Sequence, residues 1–217
     1  LYWALTGGGG GTYGAVLSMT TKLHKDMPTG GVTLSFVESS DSFWEVLNVF
    51  LMNLPHVLKA GPSLYWMIMP GNTFYMPQSY FPNGTAENLE QLLKPTLDAL
   101  AERNIPYAFT SHDFPAFQDA FKGLNPEMNI TEFNLGGSLV SRSQVASESS
   151  VTALVGALKS ILDNGGILAG VSMDVSRSPP VPNAVHPGWR DSLFLAFLGT
   201  YVLTSIPSIF MLGIKQN

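Results

Sequence analysis

The pattern of apolar residues along this chain predicts an α+β fold, an antiparallel sheet covered on one face by helices. Three observations carry the prediction. Two long stretches, 41–59 and 85–104, repeat apolar residues every third or fourth position, as amphipathic helices do. Short runs rich in β-branched and aromatic residues fall between them, two of these runs joined by a tight-turn triplet. A further helical stretch, 148–164, ends on a glycine pair and is followed at once by another apolar run.

Taken in order, residues 15–24 alternate Val16, Ser18, Thr20 and Lys22 with Leu17, Met19, Thr21 and Leu23, the period of a strand. In 41–59 the stripe is Phe43, Val46, Leu47, Phe50, Leu51, Leu54 and Leu58. Asp41 or Ser42 is placed to cap it, and Pro55 to kink it. Residues 64–69 and 73–80 read as a hairpin around Pro70-Gly71-Asn72. Thr85 caps the next helix, with Asn88 where a capping box carries Glu; its stripe is Leu89, Leu92, Leu93, Leu97 and Leu100. A strand at 105–110, a short helix at 115–122 and a strand at 133–140 follow. The last elements are the helix at 148–164, stopped by Gly165-Gly166, and strands at 167–175 and 191–198.

Residues Gly7 to Gly11 form a run of five glycines, whose backbone N–H groups no side chain covers. Such a loop can approach a phosphate closely. Gly9, Gly11 and Gly14 also satisfy GxGxxG, but that fingerprint needs a helix directly after the loop. A strand pattern follows here, and the expected acidic residue is misplaced, Asp26 being early and Glu38 late. The loop is therefore an anion nest or a flexible turn, not a Rossmann site.

Composition excludes several functions. A net charge of −5 without any basic stripe argues against nucleic-acid binding. With zero cysteines there are no disulfides, thiol catalysis or zinc ribbons. His24, His56 and His112 lack ligand spacing, so no metal site is expected, and no G-x-S-x-G nucleophile signature occurs. The 45% hydrophobic content in 217 residues suits one good core, or one domain plus part of another. A charged fraction of 12% is low, as for a chain that buries surface against a partner. Asn83-Gly-Thr and Asn129-Ile-Thr are glycosylation sequons, consistent with a secreted protein. The stretch 193–214 carries no charge and is long enough to span a bilayer, although Thr204, Ser205, Pro207 and Ser208 interrupt it and a membrane anchor is not the preferred reading.

The segment LYWALTGGGGGTYGAVLSMTTKLH resembles the W-A-L-x-G-G-G-G-G-x-[FY]-G stretch of the berberine-bridge-like FAD-linked oxidases of the vanillyl-alcohol oxidase superfamily, the group with PCMH-type FAD-binding domains. FNLGGSLVSRS and NAVHPGWRDSLFLAFLGT resemble two further segments of its fungal branch, in the same order. Departures are Ser138, where arginine is usual, and His186 and Gly188 around Pro187. The resemblance implies an FAD-dependent oxidoreductase: hydride passes from a substrate C–H to flavin, and molecular oxygen reoxidises it. It also implies a substrate domain whose sheet roofs the flavin. Residues 1–29 would be the remnant of the FAD-binding domain, 30–200 the substrate domain and 201–217 an atypical apolar tail outside the family pattern. The residues that attach flavin covalently in relatives have no counterpart in this chain, which reads as a central portion of a longer enzyme. A competing reading is an inactive substrate-domain protein that binds an apolar small molecule or pairs with a separate flavin-bearing chain.

For the site, the resemblance implies that Gly8, Gly9, Gly10, Gly11 and Thr12 donate N–H groups to the FAD pyrophosphate, with Tyr13 and Gly14 near the ribityl chain or ring. Candidates for contact with a small-molecule substrate are Tyr65 and Tyr75 on the hairpin, Asn134 and Arg142 bordering the GGSLV strand, and His186. Each also has a structural explanation: sheet packing for the tyrosines, and a turn or cap for His186. Trp189 and Arg190 fit a packed indole and a structural arginine pair. Relatives take the proton with a Tyr or Glu; the sequence singles out no catalytic base.

Overall fold

The computed structural model describes residues 2–9, 11–125, 133–177 and 182–201. Gly10, the Asn129 sequon and the tail beyond Tyr201 lie outside the described residues. Seven strands form one sheet in the order β4-β1-β3-β2-β6-β7-β5, and every pairing is antiparallel. They are β1 (Thr29–Val37), β2 (Ser63–Met69), β3 (Thr73–Pro82), β4 (Tyr107–Phe114), β5 (Phe133–Ser141), β6 (Ile167–Ser172) and β7 (Ser192–Tyr201). The helices are α1 (Tyr2–Leu5), α2 (Ser42–Ala60), α3 (Ala86–Glu102), α4 (Phe117–Leu124), α5 (Glu148–Asp163) and α6 (Gly188–Asp191).

Local chemistry explains the ends of the long helices. Thr85 Oγ1 accepts the Asn88 N–H at 3.1 Å while the Thr85 N–H donates to Asn88 Oδ1 at 3.4 Å, so asparagine completes the capping box as glutamate would. Ser147 and Ser150 repeat the device on α5. That helix stops where Gly165 turns to φ +77° and its N–H reaches the Leu162 carbonyl at 2.9 Å. Asp41 precedes α2 but its carboxylate makes no capping bond. In the β2–β3 turn, Gly71 and Asn72 both take positive φ, +80° and +51°, which glycine and asparagine tolerate best.

Helices α2, α3 and α5 bury their apolar stripes against one sheet face. There Val32, Leu34 and Phe36 of β1 meet Leu64, Trp66 and Ile68 of β2 and Phe74 of β3, all in one core. Trp66 is its centre: it stacks on Phe74 and meets Phe50 and Phe194 edge-on. Its indole N–H donates to Ser172 Oγ at 2.9 Å, satisfying a polar group that is otherwise fully enclosed. Gly170 faces it, and any Cβ there would overlap the indole.

Three expectations change. The alternating segment 15–24 forms no strand, and residues 12–28 carry no regular structure. Alternation states which way side chains point; a strand also needs a neighbour for its backbone N–H and C=O groups, and none lies beside it among the described residues. Conversely β1, between β4 and β3, begins at Thr29 within Gly30-Gly31, residues that in isolation read as a break rather than a strand. Gly30 is required there, since a Cβ would strike the Thr85–Ala86 backbone at the start of α3. Lastly α4 lies on the sheet face opposite the other helices: Phe117 and Phe121 pack on Tyr80, and Leu124 and Phe114 fill the space beside Gly31. The front of the uncharged C-terminal stretch, 193–201, belongs to β7, and no helix among the described residues is long and apolar enough to cross a membrane.

Candidate functional site

Strand register sorts every side chain onto one of two faces. Opposite the helix-covered face, two rows run across the sheet. One reads Gln78, Tyr65, Val171, Leu195, Leu139, and the next Ser35, Tyr75, Met67, Ala169, Phe197, Gly137. Tyr65 and Tyr75 are therefore diagonal neighbours on one open face, both half-buried. Burial pushes the Tyr65 phenol above its ordinary value, because desolvation disfavours the phenolate. Gln78 donates to Asn125 Oδ1 at 2.6 Å, and the Thr33 and Thr110 hydroxyls meet at 2.7 Å on the same face.

The glycine segment docks on the loop that leads into α6 and β7. Helix α1 is a single turn closed by the Thr6 N–H on Tyr2 O at 3.0 Å, and the Gly8 N–H is spent on Ala4 O at 2.8 Å. Gly8 is thus not a free donor, contrary to expectation. The Ala184 N–H donates to Thr6 O at 3.1 Å, and Gly7, at φ +117°, lies so close to Val185 that a Cβ would come within 2.6 Å of the Val185 nitrogen. The loop that carries Val185 leads to Gly188, which packs near Leu139 on the open face. Backbone φ alternates in sign through Gly7, Gly8 and Gly9, the geometry that turns successive N–H groups into one concavity. Among the described residues, the N–H groups of Gly9, Gly11, Thr12, Tyr13 and Gly14 make no hydrogen bond. No Cβ at Gly11 or Gly14 would meet an atom within 4 Å, so the loop is open to a ligand.

The segment that follows is bare on both sides, Val16 being 63% and Leu17 98% exposed. It is anchored at its end. Asp26 Oδ1 accepts the N–H of Met27 at 2.9 Å and that of Phe117 at 2.8 Å, capping α4, whose own N-cap residue Ala116 has no oxygen to offer.

The remaining candidates lie elsewhere. Asn134 shares the face of Gly136, Ser138 and Val140, the helix side, so it does not join the tyrosines. Arg142 opens a 3₁₀ turn and pairs with Asp174 at 2.8 Å. The Ser176 hydroxyl bonded to Asp174, then its N–H and Arg142, hold that carboxyl below the usual range against the opposing pull of burial. This pair lines a cleft of about 570 Å³ with Lys59, Arg177 and Arg190, at the end of α2 and away from the open face. Arg190 donates to Asn183 Oδ1 at 3.1 Å, bracing the loop that holds the glycine segment. His186 is exposed, and its Nδ1 accepts the Gly188 N–H at 3.1 Å, the turn-capping role. Among the described residues no group of acidic, histidine or cysteine side chains is arranged to hold a metal ion. Gln78 and Val185 are the additions that sequence reasoning passed over. Val185 lies in the NAV motif, but nothing local tells that its partner is Gly7.

No protein-family model matches the chain. Curated relatives do. It is 34% identical over 202 residues to the FAD-linked oxidoreductase sor8 of Hypocrea jecorina, covering 92% of this chain and 35% of that protein. It is 32% identical over 204 residues to the VAO-type flavoprotein oxidase VAO615 of Thermothelomyces thermophilus, covering 90% and 35%. The crystal structure of the VAO-type flavoprotein MtVAO615 from Myceliophthora thermophila C1 superimposes with a TM-score of 0.80 at 27% identity, over 97% of this chain and 40% of that one. The chain is homologous to the VAO-type FAD-linked oxidoreductases. It spans about a third of the length of the curated relatives it matches. A BBE-like protein of Physcomitrella patens shares the fold at a TM-score of 0.60 with 12% identity, over 82% of this chain and 39% of that one. The VAO-type homology covers both the glycine segment and the sheet, the two parts that the Thr6–Ala184 and Gly7–Val185 contacts join.

Proposed function

We propose that this chain supplies the substrate-facing sheet and one cofactor loop of an FAD-dependent oxidoreductase. The observation that carries the reading is the docking of a glycine segment with free N–H groups on the 184–185 loop that leads through α6 into β7 of the same sheet as Tyr65 and Tyr75. Gly9, Gly11 and Thr12 would hold the pyrophosphate through backbone N–H groups, without a helix dipole. Bound there, FAD would accept a hydride from a substrate C–H, the proton leaving separately, and molecular oxygen would take up the two electrons as hydrogen peroxide. The chain's own residues orient and shield. Tyr65 and Tyr75 line the face turned to the substrate, the sheet excludes water from one side, and the Asn183–Arg190 bond braces the loop that holds the glycine segment.

Full-length relatives are about three times longer, so the rest of the cofactor site belongs to polypeptide beyond these residues or to a separate flavin-bearing chain. The secretory pathway is the proposed location, with Asn83 as an exposed sequon in the β3–α3 turn. The test is the absorbance spectrum of the protein purified from its own reading frame, then anaerobic addition of candidate alcohols. A flavin spectrum bleached by substrate and restored by air with release of peroxide is expected. A folded, colourless protein that gains no flavin when FAD is added overturns the proposal in favour of an inactive ligand-binding domain.

A further inference from the structure

Strand register gathers charge at one end of the sheet. Ser141 pairs with Ser192 and Ser172 with Phe194, so the chain leaves β5 and β6 and enters β7 at the same end. Arg142, Asp174, Arg177, Arg190 and Asp191 meet there, and Lys59 joins them from the last turn of α2, around the cleft of about 570 Å³. Four cations accompany two carboxylates, an excess of positive charge in a chain of net charge −5. The carboxylates leave much of that charge unanswered. Arg142 Nη2 donates to Asp174 Oδ1 at 2.8 Å, and the Ser176 N–H donates to the same oxygen at 2.9 Å. Among the described residues the other nitrogens of that guanidinium donate to no protein group, although the Arg142 side chain is only 26% exposed. Among the same residues Lys59 makes no hydrogen bond or ion pair, and Arg177 has only its longer-range attraction to Asp174. Residues 178–181, which follow Arg177, contain no charged side chain. Arg190 is engaged with Asn183 and belongs to the brace of the glycine segment.

We infer that this cleft binds a small dianionic oxyanion, its oxygens taking N–H donors from Arg142, Arg177 and Lys59. Asp174 positions the Arg142 guanidinium for it: the ion pair fixes one nitrogen of a planar group and so orients the rest. Lys59 stands at the negative end of α2, where its ammonium group offsets the helix carbonyls that would otherwise repel an anion. Arg177 adds a second exposed charge, and the exposed carboxylate of Asp191 works against the ligand. An uncharged molecule is disfavoured, since it would strip water from charged groups without replacing it. The cleft lies away from the open face, so binding needs no flavin and does not depend on the oxidoreductase reading.

The experiment is calorimetric titration of the protein purified from its own reading frame with sulfate, succinate and acetate at neutral pH and constant ionic strength. Sulfate, succinate or both should saturate the site below about 10 mM and bind roughly tenfold tighter than acetate. Arg177→Gln and Lys59→Gln, both at exposed positions outside the core, should each weaken the dianion about fivefold, the loss of a charge-assisted hydrogen bond partly screened by water. Asp191→Asn should tighten it about threefold by removing the opposing charge. Lys122→Gln, on α4 across the sheet, should change nothing. Arg142 is left in place, because its loss would strand the Asp174 carboxylate. The inference is overturned by no saturation below about 10 mM with either dianion, by acetate binding as tightly as the dianions, by Arg177→Gln and Lys59→Gln both without effect, or by Lys122→Gln weakening the dianion as much as Arg177→Gln does.

Discussion

Gly7→Ala tests the connection between the glycine loop and the sheet most directly. At φ +117° an alanine is strained, by about 1–3 kcal/mol. Its Cβ would also press on the Val185 backbone nitrogen at 2.6 Å, and backbone cannot swing aside as a side-chain tip can; forcing it costs about another 1–3 kcal/mol. Among the described residues the hydrogen bond that opposes these terms is Ala184–Thr6, worth about 0.5–1.5 kcal/mol. Strain exceeds attachment, so the loop should leave the 183–185 segment rather than tolerate the methyl group. The reading is FAD affinity by titration of the deflavinated protein, with limited proteolysis in 12–28 as a second probe. We expect affinity to fall tenfold or more and cleavage to quicken. Gly11→Ala is the control: its φ is +74° but nothing lies within 4 Å, so only the left-handed penalty of about 1 kcal/mol applies. If Gly7→Ala binds FAD as tightly as the unchanged protein and resists protease equally, the docking argument is wrong.

Gly170→Ala should destabilise the fold by about 2–3 kcal/mol, because displacing the Trp66 indole and its bond to Ser172 outweighs the 0.5–1 kcal/mol that replacing a strand glycine returns; a urea midpoint equal to the parent's would contradict this. Asp26→Ala removes the carboxylate that caps α4 and should cost about 1 kcal/mol, seen as faster amide exchange in Phe117–Leu124 with the sheet unchanged. Asp174 has a folded-state pKa below its ordinary 3.8, so its contribution to stability is complete above that value and is lost as pH falls through the lower one. Asp174→Asn should therefore lower stability at pH 6 and narrow the gap to the parent as the medium is acidified below pH 3.8; a gap that stays constant would show that the ion pair is not the source. If the protein is secreted, Asn83 from its native source should carry a glycan detectable by the mass change on enzymatic release, and an unmodified Asn83 would count against that location.

How much of this was legible in the residues depends on the range of the interaction involved. Helices α2, α3 and α5 follow from stripes and caps that lie within a few residues of one another, and Thr85 with Asn88 shows the local rule holding down to individual hydrogen bonds. The same local reading assigned a strand to 15–24 and passed over β1. Strand formation depends on a neighbour that sequence proximity does not supply: β1 has β3 and β4, each more than thirty residues away, whereas 15–24 has none among the described residues.

The site divides along the same line. The sequence by itself determined the glycine run, its lack of a following helix, the hairpin tyrosines and the likeness to FAD-linked oxidases, since these are properties of residue order. Only the tertiary structure decided which candidates share a surface. Strand register puts Tyr65 and Tyr75 on the open face and Asn134 on the other, because a shift of one residue reverses a side chain's face. Contacts between segments distant in sequence then hold Gly7 against Val185 and tie Arg142 to Asp174, while the turn of α1 consumes the Gly8 N–H locally. Those choices are made by packing, which sums over residues far apart in sequence and close in space.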